Sequence, residues 1–200
     1  MTTRYPVHTM PAMSGYTSLR AAVVGCGTVG GATARVLVQD RQTIAERSGI
    51  DIELAAIVDR QFDSARALGL PEETFQPDLD AVLADPTIDV VIELVGGLTF
   101  ARELIRRALD AGKHVVTANK ALLAHHGKEL FGYARERGLT IGFEASCGGG
   151  IPIIRAITDG LIANQIDAIY GIVNGTSNFL LTEMIQKGET YQQALAAAQE

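Results

Sequence analysis

Basic side chains are the first thing that this sequence has little of. Lysine and arginine together number 17 against 23 aspartates and glutamates, which gives a net charge of −6, and no basic run appears. Proteins that bind nucleic acid or an anionic membrane surface normally carry a positive patch, because the phosphates they meet are negative. We therefore expect neither kind of partner for this chain.

Long apolar runs and cysteines are also scarce. No stretch approaches the ~18 uninterrupted apolar residues of a membrane-spanning helix, and residues 1–18 lack the apolar core of a signal peptide. Cys26 and Cys147 lie far apart and have no partners at metal-binding spacing, which favours a reducing compartment over a disulfide framework. The sequence thus predicts a soluble, cytoplasmic protein with a flexible tail over residues 1–18.

What the sequence does have, after that tail, is an alternation of short apolar runs with longer helical patterns. Strands are predicted at Leu19–Val24, Ile52–Val58, Val90–Val95, His114–Thr117 and Thr140–Phe143. Helices are predicted between them at Gly30–Glu46, Asp63–Leu68, Pro77–Ala84, Phe100–Asp110 (capped by Thr99) and Lys120–Arg137. Strands separated by helices form parallel crossover units. We expect an α/β fold: a Rossmann-type doubly wound parallel sheet over residues 19–150.

The alternation of predicted strands and helices changes from Pro152 onward. A helix to about Ala163 is followed by a predicted strand, Ile166–Val173, then by the loop Asn174–Asn178 and further helices. This pattern predicts the start of a second domain of α+β type, incomplete, over residues 151–200.

Three glycines carry the first chemical signal. Gly25, Gly27 and Gly30 have the G-x-G-x-x-G spacing and lie between a predicted strand and a predicted helix. The first glycine permits a tight turn, the second lets the backbone approach a pyrophosphate, and the third lets helix and strand pack closely. The helix N-terminus then faces the phosphates with its unpaired amides. In this context the motif predicts a dinucleotide-binding site.

Two residues at the end of the second strand bear on which dinucleotide is bound. Asp59 is suited to accept hydrogen bonds from the ribose hydroxyls of NAD, whereas the guanidinium of Arg60 is suited to hold the 2′-phosphate of NADP. The alternative interpretation is a solvated charged turn. Gly96, after the third strand, is a further predicted cofactor contact. The choice between NAD and NADP stays open at this point.

Lys120 is the candidate catalytic residue. It lies at a predicted junction between strand and helix, on the edge where open α/β sheets bind ligands. A cation in the first turn of a helix opposes the helix dipole, so stability alone would not favour lysine there. An ammonium group beside a carbonyl can stabilise a developing oxyanion or relay a proton. The alternative is an ordinary exposed lysine.

Four motifs together resemble homoserine dehydrogenase, in the same order and spacing, from about Leu19 to Glu200. They are Gly25-Cys-Gly-Thr-Val-Gly30, Thr117-Ala-Asn-Lys-Ala-Leu-Leu-Ala124, Glu144-Ala-Ser-Cys-Gly-Gly-Gly-Ile-Pro152 and Gly171-Ile-Val-Asn-Gly-Thr-Ser-Asn-Phe179. The resemblance implies NAD(P)-dependent interconversion of L-homoserine and L-aspartate 4-semialdehyde, a step towards threonine, isoleucine and methionine.

The resemblance also implies roles for individual residues. Thr28 and Val29 would lie against the cofactor, and Lys120 would lie near the nicotinamide and the substrate. Gly175 and Thr176 would contact homoserine with their backbone amides at a helix start.

A sodium ion is implied as well, at the segment that joins the two predicted domains. Its ligands would be the carboxylate of Glu144 and the backbone carbonyls of Cys147, Gly149 and Ile151. Oxygen ligands of this kind suit a hard cation. The alternative interpretation of the glycine run, taken by itself, is a flexible linker.

The family's later motifs are missing: a glycine-tyrosine-acidic run, an aspartate pair and a second lysine. We therefore expect a fragment or truncated form with little or no turnover alone, and a homodimer when full length. Two alternatives stay open, namely a non-catalytic NAD(P)-binding module and another Rossmann amino-acid or semialdehyde dehydrogenase.

Overall fold

Valine, isoleucine and alanine are frequent in five short segments, and these segments form one parallel sheet. A computed structural model describes residues 15–199. The strand order is β2-β1-β3-β4-β5, and every neighbouring pair is parallel. This arrangement confirms the predicted α/β sheet. The strands are β1 (Thr17–Val24), β2 (Ile50–Val58), β3 (Val90–Glu93), β4 (His114–Thr117) and β5 (Ile141–Gly142).

Helices cover both faces of this sheet, because the chain moves from β1 to β2 on one side and from β3 to β5 on the other. Within the described range of residues 15–199, no helix is long and apolar enough to cross a membrane. The helices of this part are α1 (Thr28–Gln39), α2 (Arg41–Ser48), α3 (Asp63–Ala67), α4 (Leu79–Ala84), α5 (Thr99–Asp110) and α6 (Lys120–Glu136).

The hydrophobic core has one layer on each face of the sheet. Successive side chains of a strand point to opposite faces, so Ala22 and Val24 of β1 belong to one layer and Val23 to the other. The first layer is formed mainly with α5 and α6, and the second includes Ala34 and Leu37 of α1. The carboxyl-terminal halves of β1 and β2 are therefore buried on both faces, whereas β4 buries Val115 and Thr117 and leaves His114 and Val116 exposed.

The predicted helix Gly30–Glu46 is wrong as a single element. Asp40, with φ −104° and ψ 11°, ends α1 by donating its amide to Val36 O and starts α2 by accepting from Ile44 N. Thr99 is likewise the first residue of α5 rather than its cap. Residues 1–14 of the predicted tail lie outside the described residues, and Thr17 and Ser18 begin β1 instead.

The chain divides into two compact units between Ile154 and Arg155. A short turn, α7 (Ile153–Arg155), leads into a π-helical turn, Ala156–Gly160, and α8 (Gly175–Gln186) and α9 (Tyr191–Gln199) follow. The predicted strand Ile166–Val173 is wrong, because these residues form no strand. A strand needs a neighbour for its backbone hydrogen bonds, and residues 155–199 contain no other strand.

Candidate functional site

The reversal of strand order places a crevice at the carboxyl ends of β1 and β3, which are neighbours in the sheet. Open α/β sheets bind ligands at such a switch point. A cavity of about 570 Å³ opens there, within the range of small-molecule sites. Its lining brings together five residues that the sequence singled out separately, namely Gly25, Gly27, Asp59, Arg60 and Gly96.

The loop after β1 has glycine at two positions where neighbouring backbone leaves no room for a side chain. Gly25 has φ +95°, and a Cβ placed on it would lie 2.8 Å from the carbonyl oxygen of Leu94, in the loop after β3. A Cβ placed on Gly30 would lie 1.7 Å from the carbonyl oxygen of Gly25. The backbone at Gly25 therefore packs directly against the loop after β3 and against the start of α1. The fold itself, with no ligand, requires glycine at both positions.

Gly27 differs from the other two glycines of the motif. It precedes α1 with φ −75°, which any residue adopts. Leaving aside its chain neighbours, no atom of residues 15–199 lies within 4 Å of a Cβ placed on it. Nothing in the described structure demands glycine there, whereas a ligand that approaches the backbone closely would.

Asp59 binds the glycine loop from the end of β2. Its Oδ2 accepts a hydrogen bond from Cys26 N at 2.6 Å, and its Oδ1 accepts from Arg60 N at 2.6 Å and Gln61 N at 3.3 Å. Burial, and then the charge of Asp59, raise the pKa of the Cys26 thiol above its ordinary value. The thiol is accordingly protonated at neutral pH, and a protonated thiol is a poor nucleophile.

Thr28 and Val29 lie away from this cavity. They line a shallow apolar depression on α1 together with Ala32 and Val36, and 58% of Val29 is exposed. Their contact with a cofactor stays a prediction.

Lys120 is the first residue of α6 and is exposed, directly after β4. The helix start is fixed by Asn119, whose Oδ1 accepts from Leu122 N at 3.1 Å. The amide nitrogen of the same side chain, Nδ2, donates to Gly97 O at 2.7 Å. The start of α6 is thereby tied to the loop after β3. Lys120 itself is not among the residues that line the cavity.

Hydrogen bonds within the segment after β5 join its two ends and form a turn in its middle. Glu144 Oε1 accepts from Ile154 N at 2.9 Å, and Ile151 N donates to Gly148 O at 2.8 Å. Within residues 15–199, no group of three or more histidine, cysteine, aspartate or glutamate side chains could hold a metal ion. A cation here would therefore need backbone carbonyl ligands in addition to Glu144.

The second unit contains the predicted substrate residues at the start of α8. Gly175 and Thr176 are its first two residues, and Asn174 caps the helix by accepting from Ser177 N at 2.8 Å. The predicted helix start at Gly175 is confirmed, but the predicted loop Asn174–Asn178 is wrong beyond Asn174, because Gly175–Asn178 form the first turn of α8. Substrate contact stays a prediction.

Sequence reasoning did not single out the other seven residues that line the cavity, namely Val24, Val58, Pro77, Leu79, Leu94, Val95 and Phe100. Phe100 is exposed at the start of α5, which the sequence alone did not show. Pro77 and Leu79 carried no signal, because their place at the cavity depends on how the long connection from β2 to β3 folds back.

A five-stranded parallel sheet with a glycine loop and a cavity at its switch point defines a Rossmann-type dinucleotide-binding domain. A family model described as the NAD-binding domain of homoserine dehydrogenase matches residues 25–144, and a second, described as homoserine dehydrogenase, matches residues 152–200. The chain belongs to the homoserine dehydrogenase family.

Individual relatives agree with this assignment. The chain is 49% identical over 181 residues to a homoserine dehydrogenase of Pseudomonas aeruginosa and 38% identical over 183 residues to that of Bacillus subtilis. These matches cover 90% and 92% of the chain but only 41% and 42% of the relatives. The chain thus spans less than half the length of these two relatives.

Solved structures give the same result. A homoserine dehydrogenase from Thiobacillus denitrificans matches with a TM-score of 0.80 and 45% identity, over 92% of this chain and 43% of that one. A hyperthermophilic archaeal homoserine dehydrogenase in complex with NADPH matches with a TM-score of 0.68 and 27% identity, over 91% and 60%.

Proposed function

We propose that this chain is the cofactor-binding part of an NADP(H)-dependent homoserine dehydrogenase, which interconverts L-homoserine and L-aspartate 4-semialdehyde. The observation that carries the proposal is the open backbone position at Gly27, at the start of α1 and on the cavity at the switch point. The unpaired amides of a helix start favour a pyrophosphate at this point. Family membership supplies the substrate pair.

The cofactor, when bound, supplies or takes up the hydride. The chain's own residues contribute in two ways: the glycine loop holds the pyrophosphate, and Lys120 lies at the start of α6 on the ligand-binding edge. The ammonium of Lys120 would stabilise negative charge on the oxygen that becomes the homoserine hydroxyl, and would relay its proton.

The proposed activity is tested by following the absorbance of NADPH with the complete protein. L-homoserine and NADP⁺ should give substrate-dependent reduction, while a polypeptide limited to these 200 residues should bind NADPH with little or no turnover. Binding of NADPH by the complete protein without turnover would contradict the dehydrogenase and favour a non-catalytic module. Turnover of a different amino acid in preference to homoserine would favour another dehydrogenase.

The proposed preference for NADP rests on the contacts of Asp59 and Arg60 at the end of β2. Both carboxylate oxygens of Asp59 already accept backbone amides. The neighbouring Arg60 is exposed and lines the same cavity. A planar guanidinium is well suited to a phosphate group. We therefore assign the adenosine 2′-phosphate to Arg60 and the shape of the loop to Asp59.

Arg60→Ala should raise the Kd for NADPH about tenfold, because charge-assisted hydrogen bonds contribute about 1.5–3 kcal/mol and part of that is screened at an exposed site. The Kd for NADH should change less than twofold. Fluorescence titration with both nucleotides measures this, and Arg35→Ala, at an exposed arginine on α1 that does not line the cavity, is the control. Equal losses for both nucleotides would refute the assignment.

A sodium ion is proposed at the segment after β5, held by Glu144 and the carbonyls of Cys147, Gly149 and Ile151. The donor set fits a hard cation, since all four groups offer oxygen and the carboxyl group is already oriented by its hydrogen bond to Ile154 N. In the assay above, replacing NaCl by choline chloride at equal ionic strength should lower the rate. Glu144→Gln should remove that dependence, and identical rates in both salts would exclude the site.

We also propose that the complete protein is a cytoplasmic homodimer. The support is the set of exposed apolar side chains on the second unit, among them Tyr170, 93% exposed, and Val173, 95% exposed. Exposed apolar side chains grouped in this way are typically covered by another surface, and we assign that surface to a second copy of the protein. Light scattering on the complete protein decides the point, and a monomeric mass at micromolar concentration would contradict it.

A further inference from the structure

The last residue of β3, Glu93, is the most deeply buried ionisable side chain at the cavity end of the sheet. Its exposure is 0%, although glutamate is among the residues least often buried. Burying a carboxyl group is unfavourable unless its oxygens are hydrogen-bonded. The partners of Glu93 therefore show what this burial does.

Both oxygens of Glu93 accept hydrogen bonds, and the two sets of donors come from different elements. Oε1 accepts from Val95 N at 3.0 Å and from Gly96 N at 3.1 Å, which shapes the loop after β3. Oε2 accepts from Thr117 Oγ1, at the end of β4, at 2.5 Å. Val95 and Gly96 line the cavity. One buried side chain thus sets a wall of the cavity and contacts the neighbouring strand end.

The contact with β4 continues to the start of α6. Thr117 Oγ1 accepts from Asn119 N at 3.0 Å, and Asn119 in turn caps α6 through Leu122 N. The same asparagine donates from Nδ2 to Gly97 O at 2.7 Å, in the loop that Glu93 shapes. The hydrogen bonds therefore close a ring between the cavity loop and the helix that begins at Lys120.

We propose that Glu93 is a positioning residue: it fixes the cavity loop and the Lys120 helix start in one mutual arrangement, so that bound cofactor and lysine ammonium meet at a set distance. The inference rests on the proposed function, since it assigns Glu93 to the same site. Such an arrangement matters because a displacement of about 1 Å can lower a rate about 10²-fold.

Lys113 provides the matched comparison for a purely structural role. It is buried to a similar degree, with 2% exposure, and its Nζ donates to Asp85 O at 2.6 Å and Ile88 O at 2.9 Å. These contacts lie at the amino ends of β3 and β4, the edge opposite the cavity. Loss of Lys113 should lower stability without reaching the cavity or α6.

The test is NADPH titration of the chain, followed by nucleotide fluorescence, which is free of tryptophan background because the sequence has none. Glu93→Gln and Thr117→Val should each raise the Kd about tenfold. Glu93→Gln leaves either the loop amides or the Thr117 hydroxyl without an acceptor, and Thr117→Val leaves Asn119 N, at the cap of α6, without one. Thr117→Ser, which keeps the hydroxyl, should restore the wild-type Kd. Lys113→Met should leave the Kd within about twofold of wild type while lowering Tm.

Amide hydrogen exchange gives a second readout that does not depend on the cofactor. Thr117→Val should accelerate exchange at Gly96, in the cavity loop, and at Leu122, in α6, whereas Lys113→Met should change neither. This readout also decides the matter if Glu93→Gln fails to fold. Faster exchange at both amides supports the ring; unchanged exchange at Gly96 overturns it.

In the complete protein, Thr117→Val should lower kcat for homoserine about tenfold with KM changed less than twofold, since it moves Lys120 rather than a substrate contact. Equal Kd and kcat losses in Thr117→Val and Lys113→Met would overturn the proposal, because the effect would then follow stability alone. Failure of the wild-type chain to bind NADPH would instead count against the proposed function, with the exchange measurement still deciding on the ring.

Discussion

Lys120→Ala in the complete protein is expected to lower kcat/KM for homoserine by about 10²–10⁴, the range typical of a general acid or base. The expectation rests on position: Lys120 is the first residue of α6, exposed, on the edge of the sheet where the cavity lies. Loss of its ammonium would leave the oxygen that gains charge during hydride transfer without a stabilising cation.

Lys120→Ala should not destabilise the fold. A cation in the first turn opposes the helix dipole by about 0.3–1 kcal/mol, so Lys120→Ala should leave Tm unchanged or raise it slightly. The α6 cap is unaffected, because Asn119 forms it with its own side chain. NADPH affinity should fall less than threefold, since the phosphates are held by the glycine loop at the other side of the crevice.

Lys128→Ala is the matched control, because this lysine is also exposed on α6, two turns further along. It should keep wild-type kcat/KM. Steady-state rates of both variants, measured beside their melting temperatures, separate chemistry from stability. An unaltered kcat/KM for Lys120→Ala would remove Lys120 from the reaction, and equal losses in both variants would point to the helix surface instead.

The sequence allowed much of the first unit to be predicted, because its signals are local. Each strand end falls within about two residues of prediction, because short apolar runs bounded by turn residues mark buried strands. The glycine spacing marked the switch point because the need for glycine arises within one short loop. A Cβ at position 30, for example, would collide with the carbonyl oxygen of Gly25.

What the sequence did not reveal depends on contacts between distant segments. Asp59 was predicted to bind the ribose hydroxyls of the cofactor, yet its carboxylate accepts a hydrogen bond from Cys26 N, 33 positions away. Glu93 carried no sign that it joins the loop after β3 to Thr117. The strand Ile166–Val173 was predicted from an apolar pattern that is correct for a strand, but a strand forms only where a neighbour supplies its backbone partners.

Gly30→Ala is expected to lower the free energy of unfolding by about 3 kcal/mol or more, at or above the upper end of what overpacking costs. The added methyl carbon would lie 1.7 Å from the carbonyl oxygen of Gly25, and a backbone atom cannot rotate away as a side chain would. The glycine loop must then shift, and since the same loop faces the cavity, NADPH binding should be lost together with stability.

Gly27→Ala is the informative partner of that variant, because it separates the fold from the ligand. With φ −75° and open space around the added carbon within residues 15–199, the substitution should cost only about 0.5–1 kcal/mol, the preference of a helix cap for glycine over alanine. The cofactor should nevertheless bind about 100-fold more weakly, since the methyl group occupies the path by which the pyrophosphate reaches the backbone.

Urea unfolding and NADPH titration of both variants therefore give a two-way comparison. Gly30→Ala should lose both stability and NADPH binding, whereas Gly27→Ala should lose NADPH binding alone. If Gly27→Ala binds NADPH as tightly as wild type, the pyrophosphate does not approach that amide and the proposed cofactor site is in the wrong place. If Gly30→Ala is as stable as wild type, the loop has a second arrangement that relieves the contact with Gly25, and the crevice is less rigid than its hydrogen bonds indicate.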